Sequence, residues 1–257
     1  MPILRSQKAL ILGAFLFCPT PLWASETDCP PDRIDGTFQV AKVHDGDTVR
    51  LRSGDKVRFI GINSPEIGRD GAPSQPFAQK ARRFLEATLR ANRNIVNLRL
   101  GNERRDHYGR LLAHPYLADN RSIAALMLTE GLAAQITIPP NIFNADCYVR
   151  AEGSARERNN GIWSHKSTWG RQAASLKPHH RGFQIVYGRV HHLKSSRGRV
   201  FFKLDNTLDV EIGKQDLRYF NPEQLRQLEG ASVRIRGWIS KRNNTLRLRH
   251  PNSLTVE

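Results

Sequence analysis

The sequence predicts a mainly β chain with helices (α+β), arranged as two small barrels in tandem. Three observations carry this expectation. Short alternating strand segments recur with polar turns between them, a helical segment follows the third strand of each set, and a basic stretch without periodicity separates the sets. The chain has 257 residues, 39% hydrophobic and 25% charged, which suffices for one large or two small cores.

In the first half, "TFQVAKV" (37–43), "DTVRL" (47–51) and "VRFIGI" (57–62) read as three strands, with "RSGDK" as the second turn. "SQPFAQKARRFLEATLRAN" (74–92) then has helical spacing through Phe77, Ala81, Phe84, Leu85 and Leu89. "NIVNLRL" (94–100) and "GRLLAHPYL" (109–117) return to strand, and helices are expected over 122–131 and roughly 145–160. The second half repeats three strands (183–193, 198–204, 207–212), a helix opened by Asn221-Pro222, and two more strands (232–240, 245–250). A five-stranded Greek-key barrel with a helix between its third and fourth strands is the OB architecture, so a second, smaller OB-like barrel is expected after the first. The two halves share an order of elements and no sequence repeat.

Residues 1–24 read as an export signal. Arg5 and Lys8 precede an apolar run, 9–17, and "PTPLWA" leads to a cleavage position after Ala24. The run is short for a membrane span, and an uncleaved N-terminal anchor is the alternative. The expected domains are thus a signal peptide (1–24), a first OB-fold barrel with helices (25–163), a basic linker (164–182) and an OB-like barrel (183–257). A periplasmic or secreted monomer without a stable membrane span follows from this reading. Cys18 would leave with the signal, so Cys29 and Cys147 remain. In an oxidising compartment they suggest a disulfide closing a loop on the order of 100 residues; two separate thiols are the alternative. The formal charge is +16, and removing two cations with the signal leaves +14. A surplus of that size points to a polyanion, nucleic acid above all, or to an anionic membrane or wall surface.

The chemistry-bearing pieces are "DGDTV" (45–49), "VR" (57–58), "GINSPE" (61–66), "DHYGR" (106–110), "GLA" (131–133), "AE" (151–152) and "GIW" (161–163). In this order and spacing, residues 37–163 resemble the thermonuclease family, the staphylococcal-nuclease-like (SNase-like) calcium-dependent phosphodiesterases. The resemblance implies hydrolysis of DNA and/or RNA with Ca2+, or another divalent metal, as cofactor. It implies Asp47 as a direct metal ligand, Asp45 behind it, Asn63 where a ligand aspartate usually stands, and Ser64 supplying a main-chain carbonyl. Glu66 would be the general base or water-orienting group, and Arg58 and Arg110 would clamp the phosphate.

The residue types suit that chemistry. Phosphodiester hydrolysis builds negative charge on phosphate oxygens, which preplaced guanidinium groups can meet with two donors each. A hard dication held by oxygens adds charge stabilisation, and a carboxylate can take a proton from water. Taken singly, Asp45-Gly46 could be a hairpin turn, Arg58 and Arg110 solvated cations at strand ends, and Glu66 a solvated acid. Two departures from the family pattern stand out. Asn63 removes one negative charge from the ligand set, and "AQITIPP" (134–140) lacks the tyrosines the family often places there. Glu152 and Trp163 are assigned to packing and hydrogen bonding, and Tyr108 to support of Arg110.

In the second half, alternation puts Arg234, Arg236 and Trp238 on one strand face, and Arg199, Phe201 and Lys203 on another, with Tyr187 beside Arg189. Cations interleaved with flat rings suit single-stranded nucleic acid. The alternative is that the rings pack against the helix or the first domain while the arginines are solvated. The pairs His179-His180 and His191-His192 have no joining cysteine or acid cluster and read as a solvated basic segment. Two further readings of the whole chain remain open: a catalytically inactive nucleic-acid-binding protein that keeps the nuclease fold, and an envelope protein whose charge meets lipid or wall.

Overall fold

The computed structural model describes residues 28–68, 70–164, 169–177, 180–240 and 243–257. The expected signal segment and His179 lie outside the described residues. Among the described residues no helix is long and apolar enough to cross a membrane.

Three hairpin-linked strands open the first unit: β1 (Gly36–Val43), β2 (Thr48–Leu51) and β3 (Lys56–Phe59). After a two-residue β4 (Ile62–Asn63) come α1 (Ala78–Ala91), β5 (Ile95–Arg105) and β6 (Leu111–Tyr116). The strands close into a barrel in the order β1-β2-β3-β6-β5, with β3 and β6 parallel. Helix α2 (Ile123–Thr129), β7 (Ala134–Gln135) and α3 (Ala145–Glu157) complete the unit.

The third strand was expected to run to Ile62, but it stops at Phe59. Gly61 has φ +88°, a left-handed conformation that glycine adopts without strain, and a Cβ there would sit 2.3 Å from the Tyr148 ring. The chain therefore leaves the barrel at Gly61, and β4 pairs with β7 instead. Helix α1 starts four residues later than the spacing suggests, after Phe77 at φ +71°. Ala78, Ala81, Leu85 and Leu89 form its buried stripe, as the three-and-four spacing requires. Ala81, Leu85 and Leu89 pack with Val49, Val57, Phe59, Ile62 and Leu98 in the barrel core.

The second unit has β9 (Gly182–Ser196), β10 (Arg199–Leu204), β11 (Leu208–Ile212), helix α4 (Pro222–Arg226), β12 (Ser232–Ile239) and β13 (Thr245–Leu248). Its sheet order is β9-β10-β11-β13-β12, and β12 pairs back to β9 to close a second barrel. Strands β11 and β13 are parallel, as β3 and β6 are in the first. The repeated order of elements is thus matched by a repeated strand order. Asn221 caps α4 by accepting from the Glu223 and Gln224 amides at 2.8 and 3.3 Å, and Pro222 occupies the first helical position.

The stretch 164–182, expected to be a linker, belongs in part to the second unit. Its β8 (Arg171–Gln172) pairs in parallel with Val186 and Tyr187 of β9, and Ala173 is buried in the second core. A further short strand, β14 (Leu254–Val256), pairs with β12.

The barrels meet through a small apolar cluster of Ala134, Ala155, Ile162, Trp163 and Ile185. An ion pair seals this contact: Arg236 Nη1 lies 2.6 Å from Glu152 Oε2 and donates to the Gln135 carbonyl at 3.0 Å. Asn252 also donates to Asp146 at 3.2 Å, and Arg249 to the Pro139 carbonyl at 3.1 Å. Cys29 and Cys147 form a disulfide with Cα atoms 5.6 Å apart, tying the N-terminal segment to α3 across 118 residues of sequence.

Candidate active site

The β1–β2 connection carries Asp45, Gly46 and Asp47 inward, and all three are buried. Asp45 Oδ1 accepts from the Asp47 amide at 3.0 Å, which fixes the bend locally. Gly46 is there for close approach rather than for a left-handed turn. A Cβ would come within 2.7 Å of Ser64 and 2.9 Å of Ala81 and of Met127. The glycine thus lets the acidic bend lie directly against the 63–64 segment.

Asp47 and Asn63 hold Arg58 between them. Asp47 Oδ1 lies 3.2 Å from Arg58 Nε and accepts from Thr48 Oγ1 at 3.0 Å, while Oδ2 accepts from the Ser64 amide at 2.7 Å. Arg58 Nη2 donates to Asn63 Oδ1 at 3.1 Å, and Nη1 donates to the carbonyls of Ile62, at 2.8 Å, and Phe59. Three of the five guanidinium hydrogens are therefore donated within the chain, and Nε is ion-paired with Asp47. A two-pronged grip on phosphate would need Arg58 to exchange some of these bonds.

The charge balance explains the behaviour of Asp45. Burial raises its carboxyl to about 7, helped by the neighbouring Asp47 and Glu66 charges; the Asp47 amide and Arg58 pull it the other way. Asp45 thus feels two neighbouring acids and one arginine, and of the three acids Asp47 is ion-paired with that arginine. Glu66 itself sits on the exposed loop before α1. That loop is pinned by reciprocal bonds, with the Glu66 amide donating to Gln75 Oε1 and the Gln75 amide to the Glu66 carbonyl, both at 2.9 Å.

Arg110 ends the β5–β6 turn, and Asp106 organises that turn. Asp106 Oδ1 accepts from the Tyr108 and Arg110 amides at 2.9 and 3.0 Å, and Oδ2 pairs with Arg110 Nε at 2.7 Å. The arginine holds the Asp106 carboxyl below its ordinary value against the effect of burial. Asp106 was not singled out from the sequence, although an aspartate three residues before a turn glycine and four before an arginine is a readable signal. Tyr108 is 73% exposed, and the Arg110 guanidinium lies 5.4 Å from its ring centroid.

Arg58 and Arg110 both line one cleft of about 480 Å³. Tyr108, Ile136, Ile138 and, from the second unit, Trp238 and Arg249 share its wall. Asp45, Asp47, Asn63 and Glu66 are not among the residues that line it; Arg58 connects them to the cleft through its bonds to Asp47 and Asn63.

The expected nucleic-acid face of the second barrel is largely closed. Arg236 is 5% exposed and neutralised by Glu152; Arg234 is buried with Nη1 3.1 Å from Glu257. Alternation alone places both outward; Glu152 of the first barrel instead covers Arg236, and Glu257, just beyond β14, pairs with Arg234. Tyr187 joins the inter-barrel cluster, where burial raises its hydroxyl above the ordinary value. On β10 the cations stay exposed, but each has an acid from β11: Arg199 with Glu211 at 3.2 Å and Lys203 with Asp209 at 2.6 Å, flanking a half-buried Phe201. Of the residues expected on that face, Trp238 alone lines the cleft. Glu152 and Trp163 take the packing and bonding roles expected of them, Glu152 accepting from the Gln135 amide at 2.6 Å.

The oxygens of Asp45, Asp47 and Asn63 and the Ser64 carbonyl form a donor set of the kind a hard dication prefers. The fit is supported by the surplus of buried negative charge over Arg58 and by Ser64 Oγ, a buried hydroxyl without a hydrogen-bond partner among the described residues. Among the described residues no cluster of three or more His, Cys, Asp or Glu is placed to hold a metal. A cation here would have to draw on the Asn63 amide and on main-chain oxygen.

The fold and the site together define an OB barrel carrying acids and paired arginines suited to a phosphodiester. A family model described as "Staphylococcal nuclease homologue" matches residues 56–165. A thermonuclease of Staphylococcus intermedius is 33% identical over 164 residues, which covers 63% of this chain and 94% of that protein. A thermonuclease of Staphylococcus hyicus is 30% identical over 131 residues, 50% of this chain and 76% of that protein. The SPbeta prophage-derived endonuclease YokF of Bacillus subtilis (strain 168) is 32% identical over 124 residues, 47% of this chain and 41% of that protein. The chain belongs to the staphylococcal nuclease homologue family. The family match ends at residue 165, before the second barrel begins.

Proposed function

We infer that this protein is a nuclease that hydrolyses phosphodiester bonds of DNA and/or RNA with the help of a divalent cation, calcium by preference. One observation carries the reading: Arg58 is anchored between Asp47 and Asn63 and opens onto a cleft that Arg110 also lines. A phosphate there meets two guanidinium groups, one fixed by Asp47 and the other by Asp106.

Asp47, the Asn63 amide oxygen and the Ser64 carbonyl would hold the cation, with Asp45 behind them. When bound, it neutralises phosphate charge and makes water easier to deprotonate. Asp45 keeps the β1–β2 bend in place through the Asp47 amide. Glu66, on a loop held by Gln75, accepts the proton of the attacking water or orients it. Arg58 and Arg110 meet the charge that grows on the phosphate oxygens. Asn63 supplies an oxygen without a charge, so cation affinity is weaker than an aspartate would give.

Export belongs to the same proposal. The Cys29–Cys147 disulfide suits an oxidising compartment, and a mature chain beginning after Ala24 would act in the periplasm or outside the cell. A single nuclease unit (25–163) would then be followed by the OB-like barrel (183–257). The monomeric state belongs to this reading.

The test is direct. Residues 25–257 are incubated with single-stranded DNA and RNA in calcium, magnesium or EDTA, beside Glu66→Ala. Metal-dependent cleavage lost in the variant is expected. Binding without cleavage under every metal would overturn the nuclease reading in favour of a non-catalytic binder, the reading that Asn63 favours.

A further inference from the structure

Trp238 is the feature that the family machinery leaves unexplained. Its strand neighbours on the same face, Arg234 and Arg236, are buried, yet Trp238 keeps 43% of its surface open. The ring is held, not loose: Phe183, its partner across the β12–β9 ladder, meets it edge-on with centroids 5.2 Å apart. A tryptophan held in place with part of its ring open offers a flat apolar surface with a polar N–H at its edge.

What it faces narrows the occupant. Trp238 shares the cleft with Arg58 and Arg110, and the first barrel's wall beside it is aliphatic, Ile136 and Ile138. The cleft thus has a cationic part and an apolar, aromatic part. Glu103 also lines it, a carboxylate that repels phosphate and directs an anionic backbone toward the arginines. Arg249, bonded to the Pro139 carbonyl and to Asp216, ties the second barrel to the 136–140 wall and keeps the two parts in register.

We propose that the second barrel completes the substrate site of the first: Trp238 is the stacking platform for an unpaired base next to the phosphate held by Arg58 and Arg110. This rests on the nuclease reading and adds a specificity to it. A base can lie flat on an indole only when it is free of a partner strand, so the site selects single-stranded nucleic acid or unpaired ends. The platform is sequence-tolerant, since every base has a π-face.

The experiment uses the full mature chain, as wild type, Trp238→Ala and Trp238→Phe, with their melting temperatures as a check on folding. The substrates are single-stranded oligonucleotides with the cleavage position intact or carrying an abasic site beside it, and the matching duplex. KM and kcat are measured with calcium; binding is measured separately in Glu66→Gln and Glu66→Gln/Trp238→Ala. Trp238→Ala should raise KM on single strands about tenfold, equivalent to ~1.4 kcal/mol, with kcat within about twofold. Trp238→Phe should recover most of that loss. The abasic substrate should cost wild type about tenfold and Trp238→Ala almost nothing further, because both changes remove the same contact. Equal KM for wild type and Trp238→Ala overturns the platform while cleavage leaves the nuclease reading intact. Equal further losses on the abasic substrate in both proteins overturn it too. If nothing is cut but Trp238→Ala still weakens binding to single strands about tenfold, the platform stands and the nuclease reading falls. A Trp238→Ala chain that does not fold leaves Trp238→Phe and the abasic substrate to decide: no abasic penalty in wild type overturns the platform.

Discussion

The two barrels share a strand order and use charge in opposite ways. In the second, the cations of the β10 face and the seam have counter-charges: Arg199 with Glu211, Lys203 with Asp209, Arg234 with Glu257, Arg236 with Glu152, and Arg247 and Arg249 with Asp216. In the first, Asp45 and Asp47 are buried close to one arginine, and burial, helped by the Asp47 and Glu66 charges, raises Asp45 to about 7. Paired charges fasten a structure; an unbalanced buried group of like charges demands a cation and is fit for chemistry. On the proposed function, the same barrel serves as a reaction site in one half and as an attached wall in the other, and fold alone does not separate the two roles.

That contrast can be broken most severely at Glu66. Glu66→Gln keeps the loop's backbone bonds to Gln75 and removes only the proton acceptor, so kcat should fall on the order of 10³-fold with melting temperature nearly unchanged. A loss below about tenfold in steady-state assays would show that Glu66 does not handle the proton.

The next largest effect distinguishes fastening charges by burial. Arg236→Ala strands Glu152 in the seam and should cost about 3 kcal/mol in denaturant unfolding, while Arg199→Ala, whose pair with Glu211 is exposed, should cost under about 1 kcal/mol. Equal costs would remove the distinction. Because Arg236 also bonds the Gln135 carbonyl beside the cleft wall, its loss should raise KM as well.

A third test uses pH. His114 is buried in the first barrel with Nδ1 2.9 Å from the Tyr148 hydroxyl, and burial, with the Arg99 charge, pushes it down to about 3 from 6.5. The folded chain then keeps His114 neutral where the unfolded chain protonates it. Its stabilising contribution is complete above pH 6.5 and is lost as pH falls from 6.5 toward 3, at about 1.4 kcal/mol per pH unit. His114→Gln should flatten that acid limb by one proton, read from unfolding free energies between pH 6 and 4. An unchanged slope would mean that His114 is not the group being protonated.

The smallest effect sharpens the site itself. Asn63→Asp adds one charge to the ligand set and should tighten calcium about tenfold by calorimetry, part of the gain being absorbed by Arg58, which already holds Asn63 Oδ1. Unchanged affinity would place the cation away from residue 63.

Much of this was legible before any coordinates. The alternating strands of both halves, the α1 stripe, the Asn221-Pro222 helix start and the pairing of two cysteines all follow from local patterns, because periodicity, caps and oxidation chemistry act over short reach or by simple count. The acids and arginines of the site were also readable, since they come in compact motifs. Other features were not. The strand ended early at Gly61 because Tyr148, 87 positions later, packs against it. The face of β12 turned inward at Arg234 and Arg236 because period-two alternation tells which residues share a side and not which side another domain covers.

The sequence by itself determined the two barrels and the chemistry of the first, because hydrophobic period and residue type are local properties. Only the tertiary structure decided which charges were neutralised and which residues of the second barrel, Trp238 and Arg249, reached the cleft. Both depend on contacts between segments far apart in the chain, such as Arg236 with Glu152, and on one barrel's placement against the other, which brought Trp238 alongside Arg58 and Arg110.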